Sequence, residues 1–203
     1  MFDQVLWFAA RGAGIVSLLL STAVVCLGLL TAARFERPQW PRFLTVELHR
    51  SIALVSVIFV AIHVVTAVLD PYASLGFIAA IIPFASSYRP LDVALGVIAL
   101  YLVIAVLLTS LIRDRLSQRT WRLVHWLAYA AWPMAVAHSL TAGSDAFAPW
   151  MLAIAAGCCA AVIGVLVWRW SVIWPGRREL ADVVDRSSFR QERTKSPARK
   201  VAR

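Results

Sequence analysis

The chain has 203 residues, of which 61% are hydrophobic and 15% charged, and its formal net charge is +9. Soluble domains average roughly 45–50% apolar and about 25% charged residues, so this composition excludes an ordinary soluble protein. A pI near 10.5 would suggest nucleic-acid binding if the basic residues covered a soluble surface. They lie instead between and after long apolar segments, which indicates a membrane protein with lipid, and no nucleic acid, as its partner.

The first apolar segment begins close to the N-terminus and continues to about Ala33. A cleaved signal peptide is the main alternative interpretation. However, Met1-Phe2-Asp3-Gln4 contains no basic residue of the kind that opens a signal peptide, and the apolar stretch is longer than a signal sequence requires. We therefore expect a retained transmembrane helix.

Five segments are long and apolar enough to cross about 30 Å of hydrocarbon. They are expected at about 5–33, 48–69, 91–112, 122–142 and 149–173. Residues 71–86 are also apolar but are interrupted by Pro71, Gly76 and Pro83, which predicts an interfacial or re-entrant loop where an acceptor or a quinone would be sought. The predicted fold class is all-α integral membrane, a five-helix transmembrane bundle.

The basic residues are strongly biased toward one side of this bundle. Eighteen of the 20 Lys and Arg residues fall in the first connection, the third connection and the region after the last span, and only Arg11 and Arg89 lie toward the other side. The positive-inside rule then places the N-terminus outside and the C-terminus in the cytoplasm of a multi-pass protein, which we expect in the plasma membrane. Residues 1–174 form the membrane domain, and 175–203 are predicted to be a disordered basic tail that binds lipid headgroups or an acidic partner.

All four histidines of the chain lie in or beside two of the predicted spans. His49 and His63 are in the second span, 14 residues apart, and His125 and His138 are in the fourth, 13 residues apart. These spacings correspond to rises of about 21 Å and about 19.5 Å on a helix. Because the two spans run in the same direction, His49 and His125 share the cytoplasmic level and His63 and His138 the outer level. Each level thus offers the two imidazoles that a bis-histidine haem needs, and the two haems would be stacked along the membrane normal.

The rotation of these side chains about their helices is less uniform. Fourteen residues bring His63 to within about 40° of His49, whereas 13 residues leave His138 about 140° from His125 on an ideal helix. Pro133 lies between the second pair, and a proline inside a helix permits local rewinding. We expect the distortion at Pro133 to bring both ligands to the haem stack.

The pattern resembles the ferric reductase-like transmembrane domain that is shared by ferric reductases, NADPH oxidases and the haem-binding subunit of periplasmic methionine sulfoxide reductase. The resemblance rests on Leu48-His49-Arg50 through His63-Val64, on Trp121-Arg122-Leu123-Val124-His125 with Tyr129 and His138, and on Arg11-Gly12-x-Gly14, and it covers about residues 5–170. It implies two b-type haems, one held by His49 with His125 and the other by His63 with His138. The absence of Cys-x-x-Cys-His agrees with haem that is not covalently attached.

The resemblance also implies an oxidoreductase membrane component that carries electrons from a cytoplasmic flavin reductase or flavoprotein to an extracytoplasmic acceptor. No G-x-G-x-x-G follows the last span, so we expect no flavin or nicotinamide domain in this chain and a flavin supplied by a partner. Arg11, Arg50 and Arg122 are candidate partners of haem propionates. Snorkelling is the alternative role for Arg11, and ordinary cytoplasmic loop charge is the alternative for the other two.

Two other functions account for parts of the same pattern. A quinone-linked cytochrome b subunit of a larger oxidoreductase would use the same four histidines. A histidine-based metal transporter would use them as transient ligands, but transport paths usually contain carboxylates, and Glu47, Asp70 and Asp92 all lie at span ends.

Overall fold

The computed structural model describes residues 2–36, 39–71, 75–143, 145 and 147–195. These residues form seven α-helices and no strand. The helices are α1 (Phe2–Ala32), α2 (Arg42–Leu69), α3 (Gly76–Ile81), α4 (Pro90–Leu111), α5 (Gln118–His125), α6 (Ala128–Thr141) and α7 (Pro149–Lys195). A single 3-10 turn, Arg113–Arg115, lies between α4 and α5.

Four of these helices, among the described residues, are long and apolar enough to cross a membrane. The candidate spans are Gln4–Ala32, Arg42–Leu69, Pro90–Leu111 and Pro149–Val172. They correspond to the first, second, third and fifth spans that the sequence predicts. Their outer faces are apolar: on α2, Leu54, Ile58 and Ile62 are each more than 40% exposed. Such a surface suits lipid, in which a helix satisfies its own backbone hydrogen bonds. The chain is therefore a multi-pass helical membrane protein.

The fourth predicted span, 122–142, is not one continuous helix, so this expectation is corrected. Helix α5 ends at His125, α6 begins at Ala128, and Trp126 and Leu127 form a turn between them. The α5 sequence from Gln118 to His125 is polar enough to form an entry segment of its own, capped by Ser117, whose side chain accepts from the Thr120 backbone N–H. Neither α5 nor α6 alone has the length of a membrane-spanning helix.

Helix α6 continues through Pro133, and the distortion expected at that residue stays a prediction. The winding changes earlier, where backbone N–H groups bond to carbonyls only three residues back: Leu127 to Val124, Tyr129 to Trp126 and Ala130 to Leu127. A 3-10 turn advances about 120° per residue, compared with about 100° in an α-helix. This tighter stretch therefore reduces the angular offset between His125 and His138 that an ideal helix would leave.

Helix α7 extends beyond its membrane-spanning part. Its backbone is helical to Lys195, and residues 196–203 lie outside the described residues. The assignment of 175–203 as a disordered basic tail stays a prediction. The segment from Arg177 to Lys195 contains five Arg and two Glu residues, which are good helix formers. The predicted outer loop at 71–86 contains one short helix, α3, and the Tyr101 hydroxyl of α4 donates to the Ile81 carbonyl at its end.

The packed core lies among α1, α6 and α7. Buried residues from the three helices form two clusters along α1, one around Leu18, Val136 and Met151 and the other around Val25, Leu29 and Val162. Helix α2 packs along α1, and α4 packs along α6. Helices α2 and α6 thus pack on different neighbours, α1 and α4, and the histidines of α2 lie close to those of the α5–α6 segment.

Candidate functional site

The four histidines come together as two pairs. The ring centroids of His49 and His125 are 6.1 Å apart with an interplanar angle of 65°, and those of His63 and His138 are 6.2 Å apart with an angle of 74°. Each pair joins α2 to the α5–α6 segment. Because the lower-numbered histidine of one segment meets the lower-numbered histidine of the other, the two segments run in the same direction.

The separation within each pair matches two imidazoles that share a metal ion. Metal–nitrogen bonds are about 2 Å long, and a ring centre lies about 1 Å beyond its nitrogen, so two imidazoles on opposite sides of one ion have centroids about 6 Å apart. Two rings in direct stacked contact would be closer. Both pairs therefore have the spacing that the axial ligands of a haem iron require.

The His63 ring packs against α1 in the space that the missing side chain of a glycine leaves. Its Nδ1 donates to the Ala10 carbonyl at 2.7 Å, and the ring lies over Gly14, where an added Cβ would come within 2.9 Å of Nδ1. Ala10 is four residues before Gly14, so the imidazole reaches the carbonyl of the turn below the glycine. We call this arrangement, a histidine on a helix glycine with its Nδ1–H on the carbonyl four residues earlier, a glycine seat.

His49 occupies a second glycine seat on the same helix. Its Nδ1 donates to the Val24 carbonyl at 3.0 Å, and a Cβ on Gly28 would lie 3.3 Å from Cε1 of the ring. The fit is slightly looser than at Gly14. Thus α1 provides one seat at each level of the site.

His138 occupies the third glycine seat, which is on α4. Its Nδ1 donates to the Asp92 carbonyl at 2.7 Å, and a Cβ on Gly96 would lie 2.8 Å from Cε1 and 2.9 Å from Nδ1. Asp92 again precedes the glycine by four residues. His63 and His138 are thus fixed by different neighbouring helices, α1 and α4.

The glycine seats determine which ring nitrogen can bind a metal. A carbonyl only accepts, so the proton of each seated ring must be on Nδ1, and Nε2 keeps its lone pair. Histidines that ligate metals nearly always donate their other N–H in this way, which fixes the tautomer and the ring orientation. The chemistry of these three side chains therefore fits a haem iron. Among the described residues, no group of three or more His, Cys, Asp or Glu side chains is placed to hold a metal ion.

His125 is the one histidine without a glycine seat. Its Nδ1 is buried and has no hydrogen-bond partner among the residues that the structure describes. The ring is stacked on Trp121, with centroids 4.8 Å apart and an interplanar angle of 25°. The guanidinium of Arg113 covers the same indole, 4.5 Å from its centroid. Stacking thus holds the plane of this ring, and no hydrogen bond of the described residues orients it within that plane.

The predicted arginines are distributed differently. Arg11 forms a 3.1 Å ion pair with Asp145 and covers the Trp7 ring at 4.4 Å, so its neighbours include a carboxylate and an indole. Arg50 is exposed one residue after His49. Arg122 is exposed and lines an open surface groove with Arg119, Leu123 and Trp126. Their role as propionate partners stays a prediction.

The sequence contained a signal for two of the glycine seats. Gly14 and Gly28 are 14 residues apart, as are His49 and His63. In an antiparallel helix pair, equal spacings on the two helices bring two residue pairs into register in reverse order. Gly12, which shares the Arg11-Gly12-x-Gly14 motif, has open space beside it. Of the two motif glycines, therefore, only Gly14 contacts a histidine.

A comparison with known protein families identifies the family to which the chain belongs. The family model described as "Ferric reductase like transmembrane component" matches residues 13–136, which is more than half of the chain. The match includes Gly14, Gly28, His49, His63 and Gly96. It also includes His125 and ends two residues before His138. No curated protein matches the chain, and no solved structure matches it. The chain belongs to the ferric reductase-like transmembrane component family.

Proposed function

We propose that this chain is a transmembrane electron-transfer component that binds two b-type haems, one between His49 and His125 and one between His63 and His138. Electrons would travel from a cytoplasmic reduced flavin or flavoprotein, through the inner and then the outer level, to an acceptor outside the cell membrane. The family supports an electron-transfer role, and the paired imidazoles support the haems.

The observation that carries the proposal is the pairing of two imidazoles at each of two levels. Three of the rings have Nδ1–H committed to a backbone carbonyl, which leaves the lone pair of Nε2 available to a metal ion. The ring centroids are 6.1 Å and 6.2 Å apart. Two histidines at each level would hold the haem iron, and such a ligand set would suit electron transfer.

We propose five membrane crossings, with the α5–α6 segment forming the fourth. This segment carries one histidine of each pair, and its partners on α2 lie about 21 Å apart along a helix that can span the bilayer. The two histidine levels would then lie near opposite faces of the membrane. The distribution of basic residues supports an orientation with His49 and His125 near the cytoplasmic face and His63 and His138 near the outer face.

When bound, the haems supply one-electron carriers whose iron alternates between the ferric and ferrous states. The chain's own residues orient the ligands and exclude water. The glycine seats fix three imidazoles, and the cluster around Leu18, Val136 and Met151 packs the region between α1, α6 and α7. Axial ligands, hydrogen bonds to them and the apolar surroundings are the means by which a protein sets the haem potential.

The test is a spectrum of the chain purified in mild detergent, dithionite-reduced minus oxidised, together with haem counted per chain. We expect low-spin b-type bands and about two haems. His49→Ala and His63→Ala should each remove or alter one haem and leave the other. Because haem is counted per purified chain, reduced expression does not mimic the loss of a ligand.

Other results would point to other functions. A colourless protein obtained from cells with ample haem would contradict the proposal, and binding of a divalent metal by that protein would favour transport. Reduction of the haems by a quinol, with no reduction by reduced flavin, would favour the quinone-linked cytochrome. Reduction by reduced flavin supports the donor proposed here.

A further inference from the structure

The two histidine pairs are held unequally. At the outer level both His63 and His138 occupy glycine seats, one on α1 and one on α4. At the inner level only His49 does. The inner partner, His125, has a buried Nδ1 that makes no hydrogen bond within the described part of the chain. The site is thus fixed on both sides at one level and on one side at the other.

Resting on the proposed function, we propose that Gly14, Gly28 and Gly96 are positioning residues for the haem ligands and that His125 is the exchangeable ligand of the inner haem. The outer haem then keeps both imidazoles in either oxidation state. The inner haem, once reduced, can replace His125 with a small exogenous ligand.

The glycines act through the space they leave. A Cβ at Gly96 or Gly14 would lie 2.8 Å or 2.9 Å from an atom of the ligand ring, closer than real Cβ contacts, and one at Gly28 would lie at 3.3 Å. An alanine at Gly14 or Gly96 would force the imidazole away from the helix, and this shift would lengthen the hydrogen bond from Nδ1 to the backbone carbonyl. At Gly28 a displacement of a few tenths of an ångström suffices. The effect of alanine should therefore be graded.

His125 is the ligand most easily displaced because stacking does not fix its direction. Trp121 and Arg113 form a layered stack with the ring, but stacking supplies no directional bond to either ring nitrogen. His125 is also the last residue of α5, next to the turn that separates α5 from α6. Ligand histidines without a partner on the second nitrogen are rare, since that bond orients the ring and raises its basicity.

The positioning role of the glycines is tested with Gly14→Ala, Gly28→Ala and Gly96→Ala in the full haem-loaded chain. We expect about 10–100-fold weaker haem retention at the level each glycine serves, which is the usual effect of removing support from a metal ligand, with the smallest effect at Gly28. The low-spin electron paramagnetic resonance signal of that level should also shift, because it reports the orientation of the axial imidazoles. The haem at the other level serves as the internal measure of folding.

Gly12→Ala and Gly164→Ala are matched controls, since both positions have open space beside them. Gly12 is on the same helix as Gly14, and alanine is the better helix former at both control positions. If the controls reduce haem retention as much as Gly14→Ala and Gly96→Ala, the glycines have no positioning role. Unchanged retention and resonance signals in the Gly14 and Gly96 variants would also contradict the proposal.

The exchange of His125 is tested by adding carbon monoxide to the dithionite-reduced protein. The bond from iron to His125 would break and a bond from iron to the carbon of carbon monoxide would form, with no change of oxidation state. We expect a Soret shift from about one haem of the two. The double variant His63→Ala/His138→Ala, which keeps only the inner haem, should retain this reactivity, whereas His49→Ala/His125→Ala should be inert.

The outcomes separate this inference from the proposed function. A chain without haem contradicts both. A chain with two haems, neither of which binds carbon monoxide, contradicts the exchange of His125 and leaves the electron-transfer proposal intact. Reactivity confined to the outer haem reverses the assignment and overturns the inference.

Discussion

The indole nitrogen of Trp132 donates a 3.0 Å hydrogen bond to the Thr22 hydroxyl, joining α6 to α1 between the two histidine levels. Thr22 is buried and its hydroxyl in turn donates to the Leu18 carbonyl at 2.7 Å. Trp132 also packs against both core clusters. The side chain therefore connects the two halves of the core at the height where they meet.

Replacing Trp132 with Phe should destabilise the chain and leave both haems bound. Loss of the hydrogen bond and of part of the indole volume is expected to cost about 1–2 kcal/mol of unfolding free energy. The measurement is the thermal midpoint of the haem-loaded protein in detergent. Trp150→Phe is the control, because Trp150 is 47% exposed at the start of α7. Loss of one haem in Trp132→Phe would instead assign the residue a role in cofactor binding.

The ion pair between Arg11 and Asp145 should contribute little to stability. Its side chains are 21% and 40% exposed, and partly exposed ion pairs contribute about 0–1 kcal/mol. We expect Asp145→Asn to change the thermal midpoint of unfolding only slightly. Arg11→Gln should lower the reduction potential of the proposed outer haem, because a positive charge near a haem favours its reduced form. An unchanged potential in Arg11→Gln would favour the snorkelling role.

Thr45 is fully buried on α2, one turn before His49, and its hydroxyl accepts from the Trp40 indole N–H at 3.0 Å. Thr45→Val keeps the shape of the side chain and leaves that N–H without its acceptor. We expect a loss of about 1 kcal/mol in unfolding free energy. Thr66→Val on the same helix should be near neutral, because the Thr66 hydroxyl bonds only to carbonyls of its own helix turn. Equal effects of the two substitutions would contradict this account.

The number of crossings and the orientation are tested by labelling single cysteines with a membrane-impermeant maleimide, in a background without the native cysteines. We expect Ser87→Cys and Phe147→Cys to be labelled in intact cells and Gln118→Cys only after permeabilisation, since all three positions are exposed in connections or at a helix start. Labelling of Phe147→Cys only after permeabilisation would show that the α5–α6 segment does not cross. A fully reversed pattern would show an inverted orientation.

Much of the architecture follows from hydropathy because four spans are governed by one requirement, the burial of about 20 apolar residues in lipid. The turn between His125 and Ala128 could not be predicted in the same way, since Trp126 and Leu127 are as apolar as a continuous span requires. Pro133 carried the stronger sequence signal for a distortion, yet α6 accommodates it. A helix can continue through a proline if it tolerates the loss of one backbone hydrogen bond. The winding at Trp126 depends instead on how α5 and α6 pack against their neighbours.

The candidate site was predictable at the level of residue type and height. Four histidines in two pairs give the levels, and helix rise gives their separation. The spacing could not give the hydrogen-bond partners of the rings, because those partners are backbone carbonyls and every residue has one. Nor could it show that His125 stacks on Trp121, a contact between residues one turn apart that depends on their rotamers.

The glycine seats have a consequence for how freely this sequence can vary. The acceptors at Ala10, Val24 and Asp92 are main-chain oxygens, so substitution of those side chains does not remove them. The sequence constraint falls instead on the position four residues later, where a side chain would crowd the ring, most severely at 14 and 96. Selection on the proposed haem site should therefore tolerate substitution at residues 10, 24 and 92 and retain glycine at 14, 28 and 96.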